Sequence, residues 1–282
     1  MGEADLSRVI ARVEDLPTLP RTVLRITELV NDPKASAKDL AIIITEDQVL
    51  TARLLKLVNS SFYGFPQPVA TVTAAIVLVG FDAIRNLLLT SSVLDFFPVR
   101  RGKVRREQES LWDHSLGCAI GAKAIGAFLR QEKLEELFVA GLLHDIGKIV
   151  EMMFLPAEFG RVMEKVRENG LLISAAEEEV LGVTHAEIGR QLAERWKLPP
   201  KLAEVITWHH RPAAAGPFSQ EAAIVHLADI LTRSLDLGFG GDRKIPPLDQ
   251  GAWELLRLKP AAFNAIMSDM LTEFDDIRSF LG

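Results

Sequence analysis

The residues best suited to chemistry in this sequence are its histidines, and they are unevenly placed. All six lie after residue 110 of the 282-residue chain, at His114, His144, His185, His209, His210 and His226. His144-Asp145 offers a nitrogen and an oxygen donor after an apolar run, and His209-His210 is a second adjacent pair. Because a buried, unpaired carboxylate is costly, a cation would offset the burial of Asp145. Nitrogen and carboxylate donors favour iron, manganese, nickel or zinc over magnesium and calcium. We therefore expect a divalent transition-metal site, mononuclear or binuclear.

Each histidine taken singly has a simpler interpretation, as a structural residue at the edge of the core. The metal-site hypothesis rests on the set and on its adjacent pairs. Cys118 lies four residues after His114 and shares its helix face. A thiolate ligand is one interpretation of Cys118, but we favour a small buried residue. His226 lies one turn before Asp229 and is interpreted as a partner of a ligand or as a rim residue.

Helical periodicity dominates the sequence, so we predict an all-α fold. Residues 99–106, VRRGKVRR, are a basic break, which we interpret as a solvated linker rather than a phosphate-binding patch. The break predicts an N-terminal helical subdomain over residues 1–106. Residues 107–282 are then a metal-binding helical subdomain with a C-terminal helical tail.

Predicted helices can be placed by their caps and breakers. Ser36 with Asp39, and Thr184 with Glu187, have the spacing of capping boxes. The predicted helices of the first part are Leu16–Val30, Ser36–Ile44, Val49–Asn59, Thr73–Val79 and Asp82–Phe97. Those of the second part are Leu111–Leu129, Leu134–Leu143, Pro156–Asn169, Ser174–Leu181, Thr184–Trp196, Lys201–His210, Gln220–Leu235 and two helices within Gln250–Phe280.

Charge and cysteine content argue against a nucleic-acid-binding protein and against a protein held together by disulfides. The net charge is -6 and the sequence pI is about 5.6, which argues against nucleic-acid binding because that requires a basic surface. A single cysteine allows no internal disulfide and fits a reducing compartment. No apolar signal segment or membrane span is visible. We expect a cytoplasmic protein that does not enter the membrane.

The second part resembles the HD superfamily of metal-dependent phosphohydrolases, whose defining His-Asp pair stands here in LLHDIGK, residues 142–148. The resemblance implies one metal held by His144 and Asp145 together with an upstream His and a distal Asp, matched by His114 and Asp229. Members with more metals add further histidines, matched here by His185, in HAEIG, and by His209-His210. The implied ligand set is therefore His114, His144, Asp145, His185, His209, His210 and Asp229.

The first part narrows the resemblance to the HDOD domain, an all-helical module of bacterial signal-transduction proteins. The segments LPTLP, DQVLT, LLKLVNSSFYG and LVGF carry this similarity, which extends over roughly Leu16 to Leu235. Gln48 departs from the family pattern, which often has proline there. The implied architecture is an HD-like helical bundle with an N-terminal helical subdomain. The stretch after His210 lacks the Gly-Tyr-Pro motif of the HD-GYP phosphodiesterases, which argues against cleavage of cyclic dinucleotides.

Two functions follow from the resemblance. The favoured one is a regulatory signalling module with a retained metal centre, acting through protein partners or a nucleotide ligand. The alternative is a metal-dependent phosphohydrolase or phosphodiesterase. In that case Asp145 is the best bridging ligand because a carboxylate has two oxygens. Lys148, one helical turn after His144, would contact a phosphate oxygen, although a solvated helix-end lysine is an equal interpretation.

Overall fold

The structure is a computed structural model that describes residues 34–59, 63–81 and 103–281, with isolated positions at 25, 28, 29, 32, 83, 84 and 88. Helices account for the regular structure of these residues, and no strand occurs among them, which confirms the predicted all-α fold. The predicted helices Leu16–Val30 and Asp82–Phe97 lie almost entirely outside the described residues.

The chain divides into two compact units, and the smaller contains the described residues between 25 and 88. Its helices begin where the sequence supplies caps. Ser36 and Asp39 form the predicted capping box, and the Asp47 carboxylate accepts the backbone N–H of Leu50 at 3.1 Å. The fully buried core side chains of this unit include Leu40, Ile44 and Val58. The continuous helices are α1 (Ala37–Thr45), α2 (Gln48–Val58) and α3 (Val72–Val79).

The larger unit contains the described residues from Lys103 to Met267. Its capping box at Thr184 and Glu187 is confirmed. Residues from Ser268 onward, in the last helix, group with the smaller unit. The helices are α4 (Lys103–Phe128), α5 (Leu134–Leu143), α6 (Ile146–Phe154), α7 (Pro156–Asn169), α8 (Ile173–Val180), α9 (His185–Arg195), α10 (Pro200–Trp208), α11 (Ser219–Ser234), α12 (Gln250–Leu256) and α13 (Ala262–Leu281), with a 3₁₀ helix at Pro212–Phe218.

Close helix contacts in the larger unit depend on glycine. Helix α4 packs along α5 and α11, and α6 packs against α9. An ideal Cβ on Gly141 of α5 would lie 2.6 Å from the carbonyl oxygen of Cys118 on α4. One on Gly147 of α6 would lie 1.9 Å from the carbonyl oxygen of His185 at the start of α9. Because any side chain would force these backbones apart, the two glycines bring α4, α5, α6 and α9 close together.

One prediction of local structure was wrong, and two elements were missed. Helix α4 begins at Lys103, eight residues before the predicted start, so residues 103–106 of the basic break are helical and are not a linker. Residues 99–102 of that break lie outside the described residues. Helix α6 was not predicted, although Ile146, Ile149, Val150 and Met153 have the spacing of an apolar helix face. The segment is only nine residues long and directly follows the apolar end of α5, so the sequence did not separate it as an element. The 3₁₀ helix was also missed. The predicted division at residue 106 stays a prediction.

Within the part of the chain that the structure describes, no helix combines the length and apolar character needed to cross a membrane.

Candidate metal centre

The His-Asp pair lies at the junction of two consecutive helices. His144 is the C-terminal cap of α5, and Asp145 is the N-terminal cap of α6. Both side chains are buried, with exposures of 0% and 3%. The sequence folds this way locally because an apolar helix ends at Leu143 and another apolar segment begins at Ile146. The pair is therefore held by two buried helices rather than by a loop.

One oxygen of Asp145 faces a first group of ligands. Asp145 Oδ2 lies 3.4 Å from His114 Nε2 and 3.2 Å from His144 Nε2. His114, on α4, also lies 3.1 Å from Asp229 Oδ1 on α11. The structure thus brings together the four residues that the HD resemblance implies for one metal. Cys118 stands beside them, with its Sγ 3.8 Å from His144 Nε2.

The other oxygen of Asp145 faces a second group. Asp145 Oδ1 lies 3.3 Å from His185 Nε2 and 3.7 Å from His209 Nε2. His185 Nε2 in turn lies 3.0 Å from His210 Nε2. His185 comes from the start of α9, and the adjacent histidines come from the end of α10. Asp145 therefore lies between two clusters of imidazoles, with one carboxylate oxygen directed at each.

In three of the histidines, Nδ1, the ring nitrogen that points away from the centre, is held by a hydrogen bond, which prepares the ring for ligation. The Nδ1 atoms of His144 and His209 lie 2.7 Å and 2.8 Å from the carbonyl oxygens of Gly141 and Ile206. His185 Nδ1 lies 2.7 Å from a carboxylate oxygen of Glu177. Since each partner is an acceptor, the proton is assigned to Nδ1 in all three rings. That tautomer leaves a lone pair on Nε2, which is directed into the centre.

Several buried polar atoms at the centre lack hydrogen-bond partners among the described residues. They include His114 Nε2, His209 Nε2, Asp145 Oδ1 and Asp229 Oδ2. His114 Nε2 is within ion-pair distance of Asp229 but is not aligned for a hydrogen bond. Buried polar atoms normally have partners, and these are all nitrogen or carboxylate donors that transition metals accept. The residues present therefore fit a divalent metal centre.

The electrostatic environment of the metal-free centre shifts the pKa values of three predicted ligands. Burial opposes ionisation of Asp145, but His144 and Lys148 hold the pKa of this carboxyl well below its usual range. Burial likewise opposes ionisation of Asp229, and the Arg233 guanidinium holds its pKa low. Burial, followed by the neighbouring His144, lowers the pKa of His209, so this ring stays neutral.

Cys118 differs from the other donors. Burial, then the charges of Asp229 and Asp145, raise the pKa of its thiol well above the usual value. Without a metal the sulfur therefore keeps its proton. The complete burial of Cys118 fits the interpretation of a small buried residue on the face that α4 shares with His114. Its Sγ also lies within 4.8 Å of potential ligand atoms of His114, His144 and Asp229.

Lys148 points into the centre rather than into solvent. It is fully buried, and its Nζ lies 2.5 Å from Asp145 Oδ2 and 2.9 Å from the carbonyl oxygen of Gly240. The alternative of a solvated helix-end lysine is wrong, because α6 is covered on all sides. Lys148 orients the carboxylate that separates the two clusters.

His226 lies outside the ligand set. Its Nδ1 donates to the carbonyl oxygen of His209, and its Nε2 accepts the backbone N–H of Asp249 at 3.0 Å. Both ring nitrogens are occupied, so neither is free to bind a metal. His226 instead holds the backbone of a predicted ligand in place.

Two residues of the centre were missed from the sequence. Glu177 contacts His185 but stands in the run Glu177-Glu178-Glu179, which has the appearance of a solvated face. Arg233 donates to Asp229 Oδ1 at 2.8 Å and to Asp242 Oδ1 at 3.1 Å. Its position four residues after Asp229 on a helix was a usable signal, because such residues are neighbours.

A family model for the HDOD domain matches residues 16–212. The chain belongs to the HDOD domain family. An HDOD domain protein of unknown function from Geobacter sulfurreducens has a similar structure, with 31% identity and a TM-score of 0.79 over 98% of this chain and 95% of that one. A proposed phosphohydrolase from Shewanella amazonensis SB2B is 26% identical, with a TM-score of 0.68 over 95% of this chain and 98% of that one.

An uncharacterized protein of Treponema pallidum (strain Nichols) is 30% identical over 234 residues, which are 80% of this chain and 44% of that protein. The HDOD chain thus spans less than half the length of this curated relative. The family match ends at residue 212, whereas Asp229, Arg233 and Gly240 of the centre lie beyond it. The centre therefore depends on helix α11 and the loop that follows, as well as on the matched region.

Proposed function

We propose that this chain is a bacterial signal-transduction HDOD module built around a retained HD-type metal centre with two half-sites, and that its role is regulatory. The observation that carries the proposal is the position of Asp145. One oxygen faces His114 and His144, and the other faces His185 and His209. A carboxylate in this position is suited to bridge two divalent ions. Iron, manganese, nickel and zinc all suit this donor set.

Burial of the ligands favours regulation over turnover. Apart from His210, which is partly exposed, no predicted ligand is more than 3% exposed. Lys148, the residue expected to contact a phosphate, is itself fully buried between Asp145 and Gly240. A phosphate ester would reach the predicted ligands and Lys148 only after the segments that cover them had moved. A buried metal instead stabilises one arrangement of the helices, which partners or a nucleotide can recognise.

Phosphate-ester hydrolysis is the second candidate, and the convergence of Lys148 with Asp145 favours it. The Shewanella protein described as a proposed phosphohydrolase is similar to this chain. Divalent ions held by the two groups of ligands around Asp145 would supply Lewis acidity toward a phosphate ester. The chain's own residues would hold the ligands in position. Lys148 fixes the carboxylate of Asp145, and the Nδ1 hydrogen bonds of the histidines fix the orientation of their rings.

Elemental analysis of the purified full-length protein tests the proposed centre. We expect the wild type to carry a transition metal and the double variant His144→Ala, Asp145→Ala to lose it. Glu164→Ala, an exposed carboxylate on α7, is the matched control and is expected to retain the metal. Wild-type protein with less than about a tenth of an equivalent, after incubation with each candidate metal, would contradict the proposal.

A nucleotide and phosphodiester panel separates the two candidates. Metal-loaded wild type that turns over nothing in the panel supports the regulatory module. Turnover that is lost in Lys148→Met while the metal content is retained supports the hydrolase instead.

A further inference from the structure

We propose that Glu177 is a positioning residue for the half-site that contains His185. This inference rests on the metal centre proposed above and adds to it the residue that holds one ligand in place. The Glu177 carboxylate is not directed at a ligand nitrogen and acts through His185.

One oxygen of Glu177 fixes both the backbone and the ring of His185. Glu177 Oε2 accepts the backbone N–H of His185 at 2.8 Å and lies 2.7 Å from its Nδ1. His185 is the first residue of α9, so its N–H is one of the donors that a helix leaves unpaired at its start. A carboxylate there is also favoured by the helix dipole. The ring can then neither rotate nor exchange tautomers without breaking these bonds.

The contact with Glu177 also makes His185 a stronger metal ligand. A carboxylate that accepts the Nδ1 proton of a ligating imidazole raises the basicity of the other nitrogen. In His185 that nitrogen is Nε2, which lies 3.3 Å from Asp145 Oδ1 and 3.0 Å from His210 Nε2. Glu177 is 0% exposed, so water does not screen its charge. It thus supplies a negative charge to the second half-site without providing a ligand atom.

Glu151 completes the arrangement. It lies on α6, one turn after Lys148, and is 0% exposed. Neither of its oxygens, nor Glu177 Oε1, has a hydrogen-bond donor among the described residues. Burial, then the charge of Glu177, raise the pKa of Glu151 well above its usual range. Glu151 is therefore a second buried carboxyl beside Glu177, and a variant at this residue tests whether packing alone accounts for the effect of Glu177.

The test compares three variants by manganese binding to the full-length protein after removal of metal by a chelator. Titration calorimetry gives the stoichiometry and the two affinities, and electron paramagnetic resonance reports the spin-coupled Mn²⁺ pair. Glu177→Gln is expected to weaken one site by about 10- to 100-fold, with the other site unchanged and the coupled signal replaced by that of a single ion. Glu178→Gln, an exposed neighbour on the same helix, is expected to behave as wild type.

Glu151→Gln separates positioning from packing. Glutamine keeps the size of the Glu151 side chain and leaves the contact between Glu177 and His185 in place, so we expect near wild-type binding of both ions. Should Glu177→Gln fail to fold, Glu177→Asp, which keeps the charge but withdraws the oxygen, is expected to show the same selective loss.

The outcomes are distinguishable. Wild type that binds two ions while Glu177→Gln binds both within about threefold of its affinity, or loses both sites equally, would overturn the inference and leave the metal centre standing. Wild type that binds no metal would overturn the proposed function and the inference with it.

Discussion

Lys148 and Asp145 form a fully buried ion pair one helical turn apart, with 2.5 Å between Nζ and Oδ2. Among the described residues, the other hydrogen-bond acceptor of the lysine is the carbonyl oxygen of Gly240 at 2.9 Å. In the absence of metal, Lys148 is a major source of positive charge for the carboxylate that both half-sites share. The stability of the metal-free protein should therefore depend on it.

We expect Lys148→Met to destabilise the metal-free protein by about 3–5 kcal/mol, the usual result of leaving one partner of a buried pair uncompensated. Bound metal should restore much of this, because a cation next to Asp145 replaces the missing charge. Urea unfolding with and without a chelator measures both effects. The control is Lys165→Met, which removes an exposed pair with Glu179 and should cost at most about 1 kcal/mol. Equal losses in the two variants would contradict the prediction.

The contact between α6 and α9 has no room for a side chain at Gly147, and it positions His185 relative to Asp145. An alanine Cβ would lie 1.9 Å from the His185 carbonyl oxygen, so Gly147→Ala must move one helix. We expect a loss of about 1–3 kcal/mol or more from overpacking, together with loss of one bound metal. Gly160→Ala on α7 has nothing within 4 Å of its Cβ and should stabilise by about 0.5–1 kcal/mol. Thermal unfolding and metal analysis measure both variants, and a Gly147→Ala protein with both metals would contradict this account.

The sequence was sufficient to predict those potential metal ligands that can be recognised by residue type and by their occurrence in adjacent pairs. His144-Asp145 and His209-His210 are visible as pairs, and the capping box at Thr184 locates the start of α9. Glu177 was not predictable in this way, because only burial distinguishes it from Glu178 beside it. Burial depends on the packing of α8 against the rest of the unit, which no local pattern encodes.

Helix α6 is a second case in which burial could not be predicted from the sequence. Its residues from Ile146 to Met153 are all buried, including Lys148 and Glu151. Its apolar residues Ile146, Ile149 and Val150 share one face, which predicts that Lys148 and Glu151 face solvent on the other, and only the tertiary packing buries them. The polar residues of α6 are there because they face the metal centre and its supporting carboxyls.

His209 predicts a pH dependence of the metal-free protein. Burial, then His144, hold the pKa of this ring well below the ordinary value of about 6.5. Below that value the unfolded chain takes up a proton that the folded ring refuses, so stability falls as the pH drops toward the folded pKa. Urea unfolding with chelator between pH 7.5 and 5.5 should show a steeper rise of stability with pH in wild type than in His209→Gln. The difference should approach about 1.4 kcal/mol per pH unit.

Comparison with the variant removes the contributions of other groups, including Glu151, whose raised pKa acts in the opposite direction. Identical slopes for wild type and His209→Gln would show that the ring titrates normally in the folded protein. Burial would then not keep it neutral for ligation.

Arg233 and Arg190 form ion pairs of the same length that differ in burial and in the further contacts that Arg233 makes with the loop after α11. Each arginine contacts a carboxylate four residues away on its own helix at 2.8 Å, Asp229 for Arg233 and Glu194 for Arg190. The first pair is 6% and 1% exposed, and the second is 52% and 56% exposed. Arg233→Gln should therefore destabilise the metal-free protein by about 3–5 kcal/mol, whereas Arg190→Gln should cost less than about 1 kcal/mol. Because Arg233 also holds Asp242 in the loop after α11, proteolysis in that loop should accelerate in Arg233→Gln alone. Unchanged cleavage there, measured by mass spectrometry of the fragments, would show that the arginine does not connect Asp229 to the loop.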